Sequence, residues 1–255
     1  MKKLTFLLSI SICLVACGND SESSTGPEYV WVDPSTVVHG TMIDSRDGKT
    51  YKTVTIGEQT WMAENLNYEY NEGTAKSYCY SNMTSNCDKY GRLYNWSAAM
   101  DSAALFSDAS KGYGNGMTWN PEGKIRGVCP EGWHLPDRNE WIELVYPMAD
   151  SVDEREVLGK YFEGTYYGSG RKLKSVDGWI GKGYVWDEYG FSALPGGDYL
   201  CSYDEFENIG RGAIFFSSSE YNPYHAYVFG LADHVSARVW QDHKSKAFSV
   251  RCLKD

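Results

Sequence analysis

The chain has 255 residues, of which 15% are aromatic and 23% are charged, and its formal net charge at pH 7 is −10. Lysine and arginine are outnumbered by acidic residues and scattered, so no basic stripe is available to neutralise a phosphate backbone. This composition argues against nucleic acid as a partner and is typical of a soluble acidic surface.

The first 17 residues predict an exported lipoprotein. Lys2 and Lys3 precede an apolar run that ends at Ala16, and this run is too short to span roughly 30 Å of hydrocarbon. The run ends in Leu-Val-Ala-Cys, which resembles the lipobox, in which the cysteine is acylated and the chain is cut before it. We therefore expect residues 1–16 to be a signal peptide and Cys17 to carry the acyl chains, palmitate among them.

The segment after Cys17 is polar, small and acidic, which is typical of a flexible spacer. We expect a tether over residues 17–35 and one domain over residues 36–255. Gly18 stands where an aspartate would favour retention at the inner membrane. We therefore expect a cell-envelope location, with the lipid anchor in the outer membrane. The sequence does not decide on which face of that membrane the domain lies.

The first predicted element of the domain is a β-hairpin. Asp47-Gly48 separates two runs of strand-forming residues, 41–43 and 51–56. Residues 44–48 lack the alternating aspartates of a calcium loop, so we interpret them as the hairpin turn. Residues 90–100 place apolar side chains at helical spacing and predict a short helix. The glycine- and asparagine-rich residues 107–120 predict a long surface loop.

Residues 129–146 carry the clearest helix signal. Asp137 and Glu140 form a capping-box pattern after Pro136, and Trp141 begins the apolar face. A second, weaker helix is predicted over residues 151–162. The chain then returns to strands, at residues 226–231, 235–240 and 247–252. Two helices on an antiparallel sheet make an α+β fold.

Several runs resemble the Fibrobacter succinogenes major paralogous domain family: DGKTYKTVTIGEQTWMAENL, YGRLYNWSAAM, CPEGWHLPDRNEW, GRKLKSVDGW, GFSALPGG, FFSSSEYN and FSVRCLKD. They cover nearly everything after the spacer. The resemblance implies a C-type lectin-like fold, related to formylglycine-generating enzymes, with two helices packed on short twisted antiparallel sheets and long loops. It brings no catalytic residues with it.

Five cysteines remain after Cys13 and Cys17, and five thiols cannot all pair. Two bonds among five thiols allow fifteen arrangements, so the sequence leaves the pairing open. Cys79 and Cys87 bracket a turn-rich segment that would close easily. The resemblance implies a long bridge between Cys129 and Cys252, and Cys201 is then the odd thiol.

No catalytic or metal-binding motif stands out. The five histidines lack chelating spacing, although His234 and His243 could face one another across the last hairpin, where exposed strand residues are the simpler interpretation. His134 is expected to make a structural hydrogen bond. Ser217, Ser218 and Ser219 lack a nucleophile elbow. We expect no cofactor, with a structural calcium ion left open.

Aromatic residues in loop-like stretches are the candidate ligand-binding residues, because their faces stack on sugar rings or anchor proteins. They are Trp119, Trp179, Trp186, Tyr203, Tyr221 and Tyr224. Five other tryptophans lie in regular elements or in the family runs and are expected in the core: Trp61, Trp96, Trp133, Trp141 and Trp240.

The hypothesis favoured by the sequence is a lipid-anchored binding or adhesion module for polysaccharide or an envelope protein. A hydrolase or oxidoreductase built from loop carboxylates or Cys201 is a second hypothesis. A passive structural lipoprotein is a third. The question of an enzyme is open, and the absence of a recognised catalytic motif favours a binding module.

Overall fold

The structure is a computed structural model that describes residues 30–118, 123–157, 161–181 and 184–255. Its strands, in chain order, are β1 Val38–Ile43, β2 Thr50–Ile56, β3 Gln59–Met62, β4 Asn71–Glu72, β5 Ala75–Tyr78, β6 Leu93–Asn95, β7 Trp133–His134, β8 Ser151–Val157, β9 Tyr161–Tyr167, β10 Gly196–Leu200, β11 Glu205–Ile209, β12 Ala213–Asn222, β13 His225–Leu231, β14 Ala237–His243, β15 Lys246–Phe248 and β16 Leu253–Lys254. The helices are α1 Thr84–Tyr90, α2 Trp96–Ala99, α3 Arg138–Val145 and α4 Ser169–Leu173.

These strands form two sheets. The smaller has the order β1-β2-β3-β16-β7. The larger has the order β4-β5-β6-β15-β10-β12-β13-β14-β9-β8, with β11 added beside β10. Neighbouring strands are antiparallel except β10 and β12, which meet in parallel at Gly197 and Ala213.

The protein is mainly β, with 37% strand and 17% helix. The predicted α+β, C-type lectin-like fold, with two helices on short sheets, is therefore wrong. The two observed sheets hold five and eleven strands. The longest described helix is α3, with eight residues. One predicted helix is a hairpin instead, and another is a three-residue strand followed by a four-residue helix.

The predicted helix over residues 151–162 is a pair of strands. β8 pairs with β9 in antiparallel register, from the pair Ser151 and Tyr167 to the pair Val157 and Tyr161. On its other side β9 pairs with β14. Valine, threonine, tyrosine and phenylalanine favour strands, because their side chains pack well on a pleated surface. Partner strands on the large sheet therefore override the weak helical periodicity of this segment.

The predicted helix over residues 90–100 is shorter than expected. Leu93, assigned to the helical face, lies in β6, which pairs with β5 and β15. Asn95 then caps α2, because its side-chain oxygen accepts a hydrogen bond from the Ala98 N–H at 3.0 Å. The helical spacing from Leu93 to Trp96 therefore crosses the boundary between two elements.

Local turn and capping signals predicted their elements correctly. β1 and β2 pair as a hairpin around residues 44–49. Asp137 and Glu140 form the predicted capping box at the start of α3, with reciprocal hydrogen bonds of 2.8 Å. The strands predicted at residues 226–231 and 235–240 correspond to β13 and β14, whereas residues 247–252 are only partly extended, in β15.

Two apolar clusters form the main core. Trp141 on α3 stacks on Phe229 of β13 with ring centroids 4.5 Å apart, and Trp61 of β3 packs on its other side at 4.5 Å. In the second cluster Trp96 contacts Phe216, whose other neighbour is Phe248. The tryptophans predicted as core are fully or nearly buried, except Trp240, which is partly buried against the second cluster.

Two disulfides lie within the described residues. Cys79 bonds Cys87, and Cys129 bonds Cys252 beside β16. Cys201 is the free cysteine of the described residues. The predicted local bridge and the long bridge implied by the resemblance are both present.

The described part of the chain begins on the surface of the domain. Val32 packs against the cluster around Trp141, and its carbonyl accepts a hydrogen bond of 2.9 Å from the Tyr189 hydroxyl. No helix in the described ranges combines the length and apolar character needed to cross a membrane. The predicted signal peptide, Cys17 and the predicted tether up to residue 29 lie outside the described residues.

Candidate binding site

A groove of about 680 Å³ opens between the β4–β5 turn, residues 95–103 around α2, residues 112–117, Cys201 after β10 and the β14–β15 turn. It is lined by Glu72, Gly73, Thr74, Asn95, Ser97, Ser102, Ala103, Gly112, Tyr113, Gly114, Asn115, Met117, Cys201, Lys244 and Ser245. A hollow of about 210 Å³ shares Cys201 and Ser245 with it and adds Tyr203, His243 and Lys246. We call the two together the loop groove.

One wall of the loop groove is held in place by a buried carboxylate. Asp101 accepts hydrogen bonds from the Tyr70 hydroxyl at 2.6 Å and from the N–H groups of Leu105, Phe106 and Ser107 at 2.8–2.9 Å. These bonds satisfy three backbone N–H groups of the turn that follows α2. Residues 101–107 are thereby fixed before the chain enters the groove wall.

The second wall, residues 112–117, is attached to two distant elements. Gly114 packs directly on Ser97, where a Cβ atom at Gly114 would lie 2.5 Å from Ser97 Oγ. The Gly116 N–H donates to the Pro223 carbonyl in the β12–β13 turn at 2.8 Å. A side chain larger than hydrogen at position 114 would therefore require Ser97 Oγ to rotate away or the wall to shift.

The lysines of the loop groove are already paired. Lys244 Nζ lies 2.6 Å from Glu220 Oε2 and also donates to the carbonyls of Met117 and Pro223 at 3.2 Å. Burial lowers the pKa of Lys244, and its bond with Glu220 opposes that shift. Lys246 Nζ lies 2.9 Å from a carboxylate oxygen of Asp242. The groove therefore offers hydroxyl, amide and ring surfaces rather than free positive charge.

Cys201 is poorly suited to be a nucleophile. Burial raises the pKa of its thiol, and a hydrogen bond with Tyr78 opposes the shift only in part. A raised pKa leaves little thiolate, the reactive form, at neutral pH. Cys201 is therefore part of the groove floor.

The structure brings some of the candidate aromatic residues together. Tyr203 lines the groove and is 76% exposed. Tyr224 is exposed in the β12–β13 turn and packs beside Gly116 in the groove wall. Tyr221 lies on the same hairpin and makes edge contacts with His225 and Tyr227.

The remaining candidates lie elsewhere. Trp179 is only 6% exposed, and its indole N–H donates to the Ala193 carbonyl, so it belongs to the core and has no free face for a ligand. Trp186 is 49% exposed, but the Arg171 guanidinium lies 4.1 Å above its ring and it does not line the groove. Trp119 lies outside the described residues.

A second cleft, of about 570 Å³, lies at the start of α3, and its polar groups already serve the fold. His134 Nε2 lies 2.9 Å from Glu140 Oε1, and His134 Nδ1 lies 2.8 Å from Asp255 Oδ1. The Arg138 N–H donates to Ser219 Oγ at 3.0 Å. The predicted structural hydrogen bond of His134 is confirmed, and it links β7, α3 and the end of the chain.

The capping box of α3, the His134–Glu140 contact and the Cys129–Cys252 disulfide lie between residues 129 and 252. A family model described as the Fibrobacter succinogenes major domain matches residues 54–254. The chain belongs to the Fibrobacter succinogenes major domain family. No curated protein and no solved structure matches the chain. The family identified from the sequence runs is thereby confirmed, while the fold attached to it is not.

In this Fibrobacter succinogenes major domain, replacing Glu140 by glutamine is expected to lower the free energy of unfolding at pH 7 by about 2 kcal/mol. Burial alone would raise the pKa of Glu140, but hydrogen bonds from His134 and the Asp137 N–H outweigh it and lower the pKa below its ordinary value of 4.5. The stabilisation is therefore present above pH 4.5 and lost as the pH falls through the folded-state pKa.

Urea unfolding at pH 7 and pH 3 measures this effect, with the exposed Glu131→Gln as the control. The Glu140→Gln protein should lose less stability than wild type between the two pH values. An unchanged pH dependence would contradict the role assigned to Glu140.

His234 and His243, which could have faced one another across the last hairpin, do not do so. His243 pairs with His225 in the β13–β14 register, with ring centroids 4.2 Å apart, whereas His234 lies in the connecting turn. Burial and the neighbouring His243 ring lower the pKa of His225. Within the described residues, no group of three or more histidine, cysteine or acidic side chains is placed to hold a metal ion.

The sequence did not identify most of the polar groove lining. Ser97, Asn115 and Ser245 come from three separate segments and fall in no shared motif. Tyr113 was recognisable only as an aromatic residue in a glycine-rich loop. The sequence offered one signal that His225 would face His243: the two residues are equally distant from the centre of the β13–β14 turn.

Proposed function

We propose that this Fibrobacter succinogenes major domain binds a neutral extracellular polysaccharide in the loop groove. The observation that carries the proposal is the exposed ring of Tyr203 beside a groove lined mainly by uncharged side chains, many of which can form hydrogen bonds. Aromatic faces cover the apolar faces of sugar rings, and hydroxyl and amide groups hydrogen-bond sugar hydroxyls.

The charges of the groove support a neutral ligand. Lys244 and Lys246 are paired with Glu220 and Asp242, and the acidic residue among the lining side chains is Glu72. A polyanion would therefore meet no unpaired cation there and would be repelled by Glu72 and by the net charge of −10.

We further propose that the chain is a lipid-anchored cell-envelope protein acylated at Cys17. The support comes from the sequence, in which Lys2 and Lys3, the short apolar run and the Leu-Val-Ala-Cys box precede a polar spacer. Mass spectrometry of protein extracted from membranes should find an acylated mature end at Cys17. A mature end without acyl groups would contradict the anchor but leave the groove's binding role untouched.

Retention on immobilised glycans tests the binding role. The full chain is passed over a panel of neutral and acidic plant and bacterial polysaccharides in 150 mM salt. We expect retention on at least one neutral polysaccharide, reversed by the same polymer in solution. Retention confined to acidic polymers, or to none, would contradict the proposal.

A further inference from the structure

The turn and strands beside the loop groove hold two histidines in a fixed arrangement that the polysaccharide proposal does not use. His225 opens β13 and His243 ends β14, and the seven-pair antiparallel register sets them directly opposite each other. Side chains directly opposite on neighbouring strands start from Cβ atoms about 4.5–5.5 Å apart. Their rings are 4.2 Å apart between centroids and tilted by 43°.

Hydrogen bonding fixes which nitrogen of His225 carries the proton. Asn222 Oδ1 accepts the N–H groups of Tyr224 and His225, each at 2.9 Å, so this atom is the acceptor. His225 Nδ1 lies 3.0 Å from the same oxygen and must donate to it. Nε2 of the neutral ring then keeps its lone pair.

This is the arrangement that prepares a histidine to bind a metal ion. Metal-ligating histidines usually donate their second ring N–H to a carbonyl or carboxylate oxygen, which fixes the tautomer and orients the ring. Among the described residues, neither Nε2 of His225 nor the ring nitrogens of His243 have a hydrogen-bond partner. His243 is exposed and His225 is half-buried, so an ion in solution can reach both rings.

We propose that His225 and His243 form a two-histidine site for a divalent transition-metal ion, with water completing the coordination. Bonds of about 2.0–2.1 Å place two imidazole nitrogens on one tetrahedral ion about 3.3 Å apart. Rotation of the exposed His243 ring, with His225 held by Asn222, would bring two imidazole nitrogens to that spacing. Imidazole favours copper, zinc and nickel over calcium and magnesium, and Cu²⁺ binds most strongly in this series.

The nearby charges do not oppose an ion. Lys244 and Lys246 are the cations next to the pair, and each is held by a carboxylate, Glu220 and Asp242 respectively. Asp242 also lies directly beside His243 in the chain. The site does not rest on the proposed polysaccharide function: His243 lines the smaller hollow of the loop groove, but sugar binding is proposed from Tyr203 and from the uncharged groove lining.

Copper titration of the full chain, purified without a polyhistidine tag, tests the site. Calorimetry at pH 7.5 gives the affinity, and electron paramagnetic resonance counts the nitrogens bound to Cu²⁺. We expect one saturable site with two nitrogen ligands. His225→Gln and His243→Gln should each weaken it at least tenfold, whereas Mg²⁺ should not compete.

His39→Gln and His234→Gln are the matched controls. His39 lies in β1 of the small sheet, and His234 lies in the β13–β14 turn, at the opposite end of that hairpin from the pair. They should leave the affinity within twofold of wild type. Asn222→Asp keeps the acceptor oxygen and should retain binding, whereas Asn222→Ala should weaken it about 10- to 100-fold. No saturable binding, or binding that survives loss of both His225 and His243, would overturn the proposal.

Discussion

Replacing Arg251 by methionine is expected to lower the free energy of unfolding by about 3–5 kcal/mol. Arg251 is fully buried. It donates to the carbonyls of Met62, Phe191 and Ser192 and to Asn65 Oδ1. Methionine fills much of the volume but leaves these oxygens without donors, and each unsatisfied buried acceptor costs about 1–3 kcal/mol.

The position of Arg251 explains the size of this effect. Its guanidinium lies 4.4 Å from the ring of Phe191 in the main core, and its neighbour Cys252 closes the long disulfide. One side chain therefore joins the loop before β4, the segment around residue 191 and the end of the chain.

Urea unfolding at pH 7 measures the change, and Arg211→Met is the matched control. Arg211 is 58% exposed and pairs with Asp233 at 3.6 Å, so its loss should change stability by less than about 1 kcal/mol. Equal effects of the two substitutions would contradict the role of Arg251.

Removing the Cys129–Cys252 disulfide by a double substitution to alanine should cost about 5 kcal/mol. The bridge spans 123 residues, and in the chain-entropy model a loop of this length restricts the unfolded chain by about that amount. Removing Cys79–Cys87, separated by eight residues, should cost about 2.5 kcal/mol.

The two double variants are each other's controls, and urea unfolding under non-reducing conditions compares them. The long bridge should prove the more stabilising by about 2.5 kcal/mol, helped by the full burial of Cys129 and Cys252. A larger loss on removing the short bridge would contradict the entropic account.

The sequence predicted structure well where the signal is local. Asp137 and Glu140 lie three residues apart and bond each other, so their pattern defines the start of α3 without help from the rest of the fold. The turn at Asp47-Gly48 fixes the β1–β2 hairpin in the same way. Such elements depend on neighbours that are visible in the sequence.

Prediction failed where residues distant in the sequence decide the structure of a segment. Residues 151–162 have a weak helical period, but β14 offers β9 a free edge and the segment becomes a hairpin. Likewise, the loop groove joins Asn95, Tyr113 and Cys201 from segments that share no pattern. The predicted fold class was wrong in part for this reason, since it rested on two helices, of which the one over residues 151–162 does not form, and on the family resemblance.

The candidate site was partly accessible from sequence. Tyr203 and Tyr224 were recognised as loop aromatics, and both lie at the loop groove. Trp179 has the same local character, yet its ring is buried beside Ala193. Exposure of an aromatic residue in a loop depends on what packs over the loop, and a single sequence does not report that packing.

The binding isotherm of Tyr203 variants on a retained neutral polysaccharide tests the central claim most directly. Tyr203→Ala removes the stacking surface and should weaken binding at least tenfold, about 1.4 kcal/mol. Tyr203→Phe keeps the ring and should stay within twofold of wild type, as should Tyr167→Ala, which removes a tyrosine 43% exposed outside the groove. If Tyr203→Ala binds as tightly as wild type, the loop groove is not the polysaccharide site.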